Sequence, residues 1–588
     1  MNNLNKFAFN PVNLDISRSR FPKPYDHKTT LESGALVPFY VDEVMAGDTF
    51  DMTFKSLTRM LTPVVPTMDN LFQDVWFFFV PYRLCTLHDK DWQKIAGENF
   101  SGYWTPNSES TLESTGNARP FFDMFTTYGD DDDQFDIEPQ SLASYLGLPI
   151  GTYTTNDDED PETSTFISTM PFVAYAKIWN EYFRDENTQT PIEDFNTFFG
   201  HSHISYNSSH YDGTDSSLQR VNKIHDLFTD CLPAPQKGPD VGVVLGGLVP
   251  VITSSVRNVK IAETKVPMSF KSLRASDNHA EDITVNRMLS TDYGASASSK
   301  GRVRMTTTEV ANTNFYSGSS GLVPDNLYVN IDNSVANVNG MRIAFAYQRF
   351  LEKNARGGTR YREYIKSQFG VSVQEGFVQV PEYLGGHRFP LMISQVLQTY
   401  ETSGSGPLGT TGAWSNTYNE FKAFTKSFSE PGFVIGLTAI RPMQSYSQML
   451  PKMFSRNRII DWYHPTFANI GEQALLNREL NMTDFDGYNL NVFGYQEAWY
   501  AERYKPNYVS GYLAPQAGSN AFRPWTYCNY FVQAPALNSS FKVQTSTQVA
   551  NTLVDTNEPA QFILEAFCDL MCTRPMPLFS IPGLIDHH

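Results

Sequence analysis

The chain has 588 residues, of which 41 % are hydrophobic, 14 % aromatic and only 18 % charged, below the roughly 25 % charged of ordinary soluble domains. Its net charge of −18 argues against binding nucleic acid over the whole surface, while abundant aromatics and sparse charge fit a chain that buries surface against partner chains. Five cysteines (Cys85, Cys231, Cys528, Cys568, Cys572) with no CxxC pair indicate neither a disulfide framework nor a zinc site, so a reducing compartment is expected.

The start, MNNLNKFAFNPVN, has no apolar core of a secretory signal. Residues 1–40 are predicted to be an irregular, extended N-terminal arm broken by Pro11, Pro22 and Pro24, with Lys6, Arg18, Arg20, Lys23 and Lys28 against Asp15 and Asp26 up to position 28. A strand follows, because Phe50, Met52 and Phe54 alternate with Asp51, Thr53 and Lys55. After the proline-marked TPVVPTMDN, the run Leu71–Val80 is apolar on both faces and reads as a strand sandwiched between layers.

Residues 100–170 are predicted to be an acidic surface insertion. Between Gly129 and Met170 stand eleven acidic residues (Asp130 to Asp133, Asp136, Glu138, Asp157, Asp158, Glu159, Asp160, Glu162) and no Lys or Arg. Pro171 opens a predicted helix with apolar Phe172, Tyr175, Ala176, Trp179, Tyr182 and Phe183. Asp215 is expected to cap another, with Leu218, Val221, Ile224 and Phe228 on one stripe. The apolar stretch Val241–Ile252 is too short and glycine-rich to span a bilayer, and no membrane insertion is expected. From about 239 to 338 the chain is rich in Ser, Thr, Asn and Gly and reads as a long variable loop. Helices are predicted over Met341–Asn354, stopping near Gly357–Gly358, and over Tyr361–Phe369, ended by Gly370. Phe433–Ile440 and Gln561–Cys572 give two more strands. Strands near both ends flanking long excursions predict one mainly β core rather than beads on a string.

Few motifs carry chemistry. Gly404–Gly409 spells GxGxxG, but Pro407 and the Ser/Thr-rich surroundings fit a loop, not the strand–turn–helix a dinucleotide needs. His201, His203 and His210 have no carboxylate at a telling spacing, and Asp130–Asp133 lacks the alternating calcium-loop pattern. No GxSxG, HExxH or P-loop occurs, so no catalytic residue, cofactor or metal is expected. The positive counterpart is local. Arg342, Arg349, Lys353, Arg356, Arg360, Arg362 and Lys366 stand against Glu352 and Glu363, a net of +5. Tyr347, Phe350, Tyr361 and Tyr364 are interleaved with them. Cations neutralise phosphates and aromatic faces stack unpaired bases, so these seven are candidates to face single-stranded nucleic acid. The other reading is helix-surface charge paired with acidic neighbours.

Eight blocks carry a family resemblance. GALVPFYVDEVMAGDTF (Gly34–Phe50), TPVVPTMDN (Thr62–Asn70), WFFFVPYRL (Trp76–Leu84) and HDLFTDCLPAPQKG (His225–Gly238) come first. EKNARGGTRYREYIKSQFGV (Glu352–Val371), PEYLGG (Pro381–Gly386), RIIDWYHPTFANIGEQA (Arg458–Ala474) and FGYQEAWYAERYKPNYVSG (Phe493–Gly511) follow in order. In these the chain resembles the major capsid proteins of the gokushovirus branch of the microviruses, small icosahedral single-stranded-DNA bacteriophages. The resemblance implies a single eight-stranded antiparallel jelly roll with large insertions, spanning 41–588. It implies sixty copies in a T=1 shell around circular single-stranded DNA, assembled in the bacterial cytoplasm and found in the virion. The implied partners are the genome, a small basic DNA-binding protein, a scaffolding protein, a DNA pilot protein and a host-surface receptor. The loop after Gly238 would form a protrusion at the three-fold axes. Without the resemblance, a β-sandwich carbohydrate-active enzyme or a receptor-binding, lectin-like virion protein also fits a β-rich chain with abundant acids and aromatics.

Overall fold

The computed structural model of the chain describes residues 17–85, 134–154, 170–192, 218–239, 338–399, 411–484, 486–515, 522–533, 535–555 and 560–579, with short pieces at 121–123, 166–168, 241, 251–253, 270–273, 280–281, 322–324, 327–329 and 408–409. Asp130–Asp133, His201, His203, His210 and most of the 404–409 glycine motif lie outside them.

The core strands, in chain order, are β1 (Ser19–Pro22), β2 (Tyr25–Leu31), β3 (Val37–Val44), β4 (Thr49–Met60), β5 (Leu71–Pro81), β6 (Glu382–Pro390), β7 (Thr417–Ser427), β8 (Gly432–Pro442) and β9 (Phe562–Arg574). They form two antiparallel sheets. In the first, β9 lies between β4 and the successive β1 and β2, and β7 flanks β4. The second runs β6-β5-β8-β3. From β2 to β9 the chain changes sheet at each step except β5 to β6, which are neighbours joined by the excursion 82–381. The mainly β class holds.

Burial explains the two sequence patterns. In β4 and β9 every second side chain, Phe50, Met52 and Phe54 or Leu564, Ala566, Cys568 and Leu570, is buried, and the residues between face outward. In β5 and β8 nearly every residue is buried. One face meets the first sheet, where Phe77 sits edge-on to Phe54 (6.0 Å between centroids), with Phe39 of its own sheet edge-on beside it (5.6 Å). The other face, Phe78, Val80, Ile435, Leu437 and Ala439, is covered by the helix α1 (Met170–Ile178) through Phe172, Tyr175 and Ile178. Tyr175 Oη donates to the Leu36 carbonyl (2.8 Å), so the covering helix is tied as well as packed. Ile137, Leu142 and Ala143, inside the stretch expected to be acidic surface, are buried in the same layer.

Two expectations change. Residues 19–31, expected to be irregular, are strands, since their amides and carbonyls pair with β9. The helix expected after Asp215 is absent from 218–228, the described part of that stretch. Arg220 bridges to Ala35 and Asn222 to Val543, with a turn at 227–230. Val221 and Phe228 are buried in different clusters, so their helix-like spacing reflects two separate anchors on an extended backbone.

A single carboxylate ties three strands of the second sheet. Asp74 on β5, almost wholly buried, accepts from Arg388 Nε on β6 (2.6 Å) and from Arg441 Nε on β8 (3.0 Å). Arg441 also donates to the Asn222 carbonyl (2.9 Å). Residues 238–351 form a second compact unit. Within it Val251–Thr253 pairs with Leu327–Val329, and Phe270–Leu273 pairs with both Ala280–Glu281 and Leu322–Pro324.

Removing the Asp74 carboxylate leaves the buried Arg441 guanidinium without its counter-ion. Asp74→Ala is expected to lower unfolding free energy by about 3–5 kcal/mol, measured by urea denaturation; a loss under about 1 kcal/mol contradicts the clamp.

Candidate nucleic-acid-facing cluster

The seven cations sit on two helices and the turn between them, α2 (Val338–Gly357) and α3 (Tyr361–Phe369). The turn depends on glycine. Gly358 has φ +84°, and a Cβ there would lie 2.1 Å from the Glu363 carboxylate; a Cβ on Gly357 would lie 2.3 Å from the Ser367 Cβ. Gly370, at φ +73°, closes α3. At 3.6 residues per turn, Arg342, Arg349, Lys353 and Arg356 fall within about 60° of one another on α2.

The structure divides these residues by occupation. Arg356 pairs with the buried Glu472 and, at 3.3 Å, with Glu497. Arg360 donates to the carbonyls of Asn180 (3.1 Å) and Arg184 (2.8 Å) and pairs with Glu363 (3.2 Å). Arg362 pairs with Glu375 (3.1 Å) and Glu181 (3.4 Å) and lies over the Tyr182 ring. These three fasten the helical turn to other parts of the chain.

The remaining four face solvent. Lys353 Nζ reaches the Gln368 carbonyl at 3.5 Å, while Arg342, Arg349 and Lys366 are exposed and form no ion pair among the described residues. On α2, Tyr347 and Phe350 stack with centroids 6.3 Å apart and rings inclined 15°, both of them exposed. Tyr361 on α3 is also exposed, whereas Tyr364 meets Phe369 edge-on. Exposed cations and exposed rings on the same pair of helices are the residue types that backbone neutralisation and base stacking require.

Sequence reasoning missed the acidic side of the arrangement. Glu186 accepts from the Thr359 amide (3.1 Å) and from Lys237 (3.2 Å). Burial pushes its carboxyl up, but the Thr359 amide and Lys237 outweigh that, and the net shift is downward. Glu181 goes the other way, since burial raises it more than Arg360 and Arg362 lower it. No local signal could have named these partners, since Glu186 lies 51 positions from Lys237 and 173 from Thr359. Elsewhere, burial raises the thiols of Cys85, Cys231 and Cys568, which pack as inert core groups. Among the described residues no group of three or more His, Cys, Asp or Glu converges, and no helix is long and apolar enough to cross a membrane.

Arg360→Ala strips hydrogen bonds from two carbonyls and is expected to cost about 1–3 kcal/mol in denaturant unfolding. Arg349 is exposed and forms no ion pair among the described residues, so Arg349→Ala should stay within about 0.5 kcal/mol; equal losses would contradict the division. A second outcome concerns acid. The Glu186 pKa is depressed on folding, so its stabilisation is complete above the ordinary value of 4.5 and is lost as pH falls through the lower folded value. Glu186→Gln should therefore flatten the acid limb of a stability–pH curve, and an unaltered limb would rule this out.

The sequence model of the family described as capsid protein (F protein) matches residues 12–115 and 117–584. Capsid protein VP1 of Chlamydia phage 1 is 32 % identical, over 99 % of this chain and 98 % of the relative. Capsid protein VP1 of Spiroplasma virus 4 is 30 % identical, over 97 % and 96 %. Capsid protein VP1 of Bdellovibrio phage phiMH2K is 30 % identical, over 99 % and 98 %.

Proposed function

The chain belongs to the capsid protein (F protein) family and is a structural major capsid protein of the virion, and from that premise we propose how it builds and fills a shell. The resemblance read from the eight ordered blocks is borne out by relatives that match end to end. That near-complete match carries the reading.

The subunit is a single eight-stranded antiparallel jelly roll with large insertions and no catalytic role. The strand order supports this. Counting β1 and β2 as one interrupted strand, four strands lie in each sheet, and the chain passes between the sheets as two interlocked Greek keys do. Sixty copies self-assemble into a T=1 icosahedral shell around a circular single-stranded DNA. The shell forms in the bacterial cytoplasm with a scaffolding protein, and a DNA pilot protein travels with the genome. The stretch 239–338 protrudes at the three-fold axes and contributes to attachment to a host-surface receptor.

Arg342, Arg349, Lys353, Arg356, Arg360, Arg362 and Lys366 lie toward the genome, with contact made by the four that face solvent. A chain of net charge −18 cannot neutralise packaged DNA by itself. A small basic DNA-binding protein supplies the rest.

Electron microscopy of purified particles should show uniform small icosahedra composed mainly of this chain; a soluble monomer under assembly conditions overturns the shell. Replacing Arg342, Arg349, Lys353 and Lys366 together by Glu should lower packaged DNA at least several-fold, with shells still formed and the subunit as stable as before. Unchanged DNA content would remove these residues from the genome's path.

A further inference from the structure

The excursion between β8 and β9, residues 443–561, packs Tyr446, Leu475, Leu480, Phe493, Tyr500 and Phe541 into a small core that Phe228 and Cys231 complete. Its surface does not behave like a free surface. Within eleven residues, Met453, Phe454, Ile459, Ile460, Trp462 and Tyr463 are exposed by 64, 69, 81, 48, 45 and 48 %. At about 150–250 Å² for each large side chain, these leave roughly 600–800 Å² of apolar surface in water. That is more than a monomer usually keeps, and about one partner's share of a stable interface.

The patch is built rather than loose. Three 3-10 turns, Lys452–Phe454, Ile459–Asp461 and Pro465–Phe467, carry it. The Asp461 carboxylate accepts from the Arg458 amide (2.9 Å) and the Asn457 amide (3.1 Å). Tyr463 stands edge-on to Trp499 (5.5 Å), and Trp499 Nε1 donates to the Phe467 carbonyl (2.8 Å).

Its charges are already used. Lys452 pairs with Glu479 (2.8 Å), Arg456 with Glu502 and Arg458 with Asp461 (3.0 Å). A surface with its cations so engaged offers little to phosphate. The exception is Arg478, which lines an adjoining cavity of about 860 Å³. Its Nε is buried without a hydrogen-bond partner, and no described residue forms an ion pair with it. An unengaged guanidinium in a half-enclosed cavity calls for a carboxylate, and a chain with 63 acidic residues against 45 basic ones has carboxylates to offer.

We propose that this face, Met453–Tyr463 with the Arg478 cavity beside it, is a copy-to-copy interface, in which a second copy of the chain covers the apolar patch and brings a carboxylate to Arg478. The proposal rests on the shell-subunit reading and names one surface by which it is carried out.

Hydrogen exchange of residues 452–463 should be at least tenfold slower in assembled particles than in dissociated subunits, in particles with and without packaged DNA alike. Equal exchange in the two states overturns the interface, as does protection present only with DNA, which would make nucleic acid the occupant. Phe454→Asp with Ile459→Asp should keep the melting temperature of the free subunit and cut shell yield at least tenfold; wild-type yield overturns the proposal. Arg478→Ala should weaken the shell against urea more than the free subunit, and equal shifts would reduce Arg478 to an internal role. Were the wild-type chain to form no shell, the shell reading and this interface would fall together; intact shells with unprotected 452–463 sink the interface alone.

Discussion

The two sheets are held by one apolar layer, and Phe77 is its centre. Fully buried on β5, its ring meets Phe39 and Tyr40 from β3, Phe54 from β4 and Phe424 from β7. Four rings from three strands around one residue leave little room for sliding, because interiors packed this closely resist even a one-methylene change. Gly436 on β8 shows how tight the layer is, since a Cβ there would lie 2.8 Å from the Phe39 ring and 3.0 Å from that of Phe77. The excursions 82–381 and 443–561 start and end on strands this layer fixes, so they can be long without loosening the frame.

Much of that frame could be read from the sequence, for a physical reason. Alternation at Phe50, Met52 and Phe54 survives because the outer face of the first sheet meets water. The two-faced run Leu71–Val80 survives because its sheet lies between the first sheet and α1. What escaped was structure held by partners far away in sequence. Tyr25–Leu31 is polar and proline-flanked, and only its pairing with β9, more than five hundred residues on, makes it a strand. Leu218–Phe228 has helical spacing, but bridges to Ala35 and Val543 claim its backbone. In the basic cluster the residue types and the two helices were legible. Which cations are engaged was not, because Glu181 lies far off in the same excursion and Glu472 and Glu497 come from the other one.

This division of charge has a structural logic. Arg356, Arg360 and Arg362 lie where α2 ends and α3 begins, and their carboxylate and carbonyl partners hold that turn in place. Arg342 and Arg349, further along α2, carry no such duty and stay hydrated. One short stretch thus supplies both mortar and a charged surface. An acidic subunit can carry local positive charge in this way without becoming a general polyanion binder.

The position of β9 in the chain has a consequence for synthesis. It is the last of the core strands in sequence, yet it sits inside the first sheet, with β1 and β2 on one flank and β4 on the other. While the ribosome is still short of residue 562, β4 lacks its inner neighbour and the amino-terminal strands have nothing to pair with. Closing the sheet joins residues more than five hundred apart, a contact order that makes it a late and slow event. A prematurely terminated chain therefore lacks a folded sandwich, and with it the rigid outline that neighbouring subunits must match.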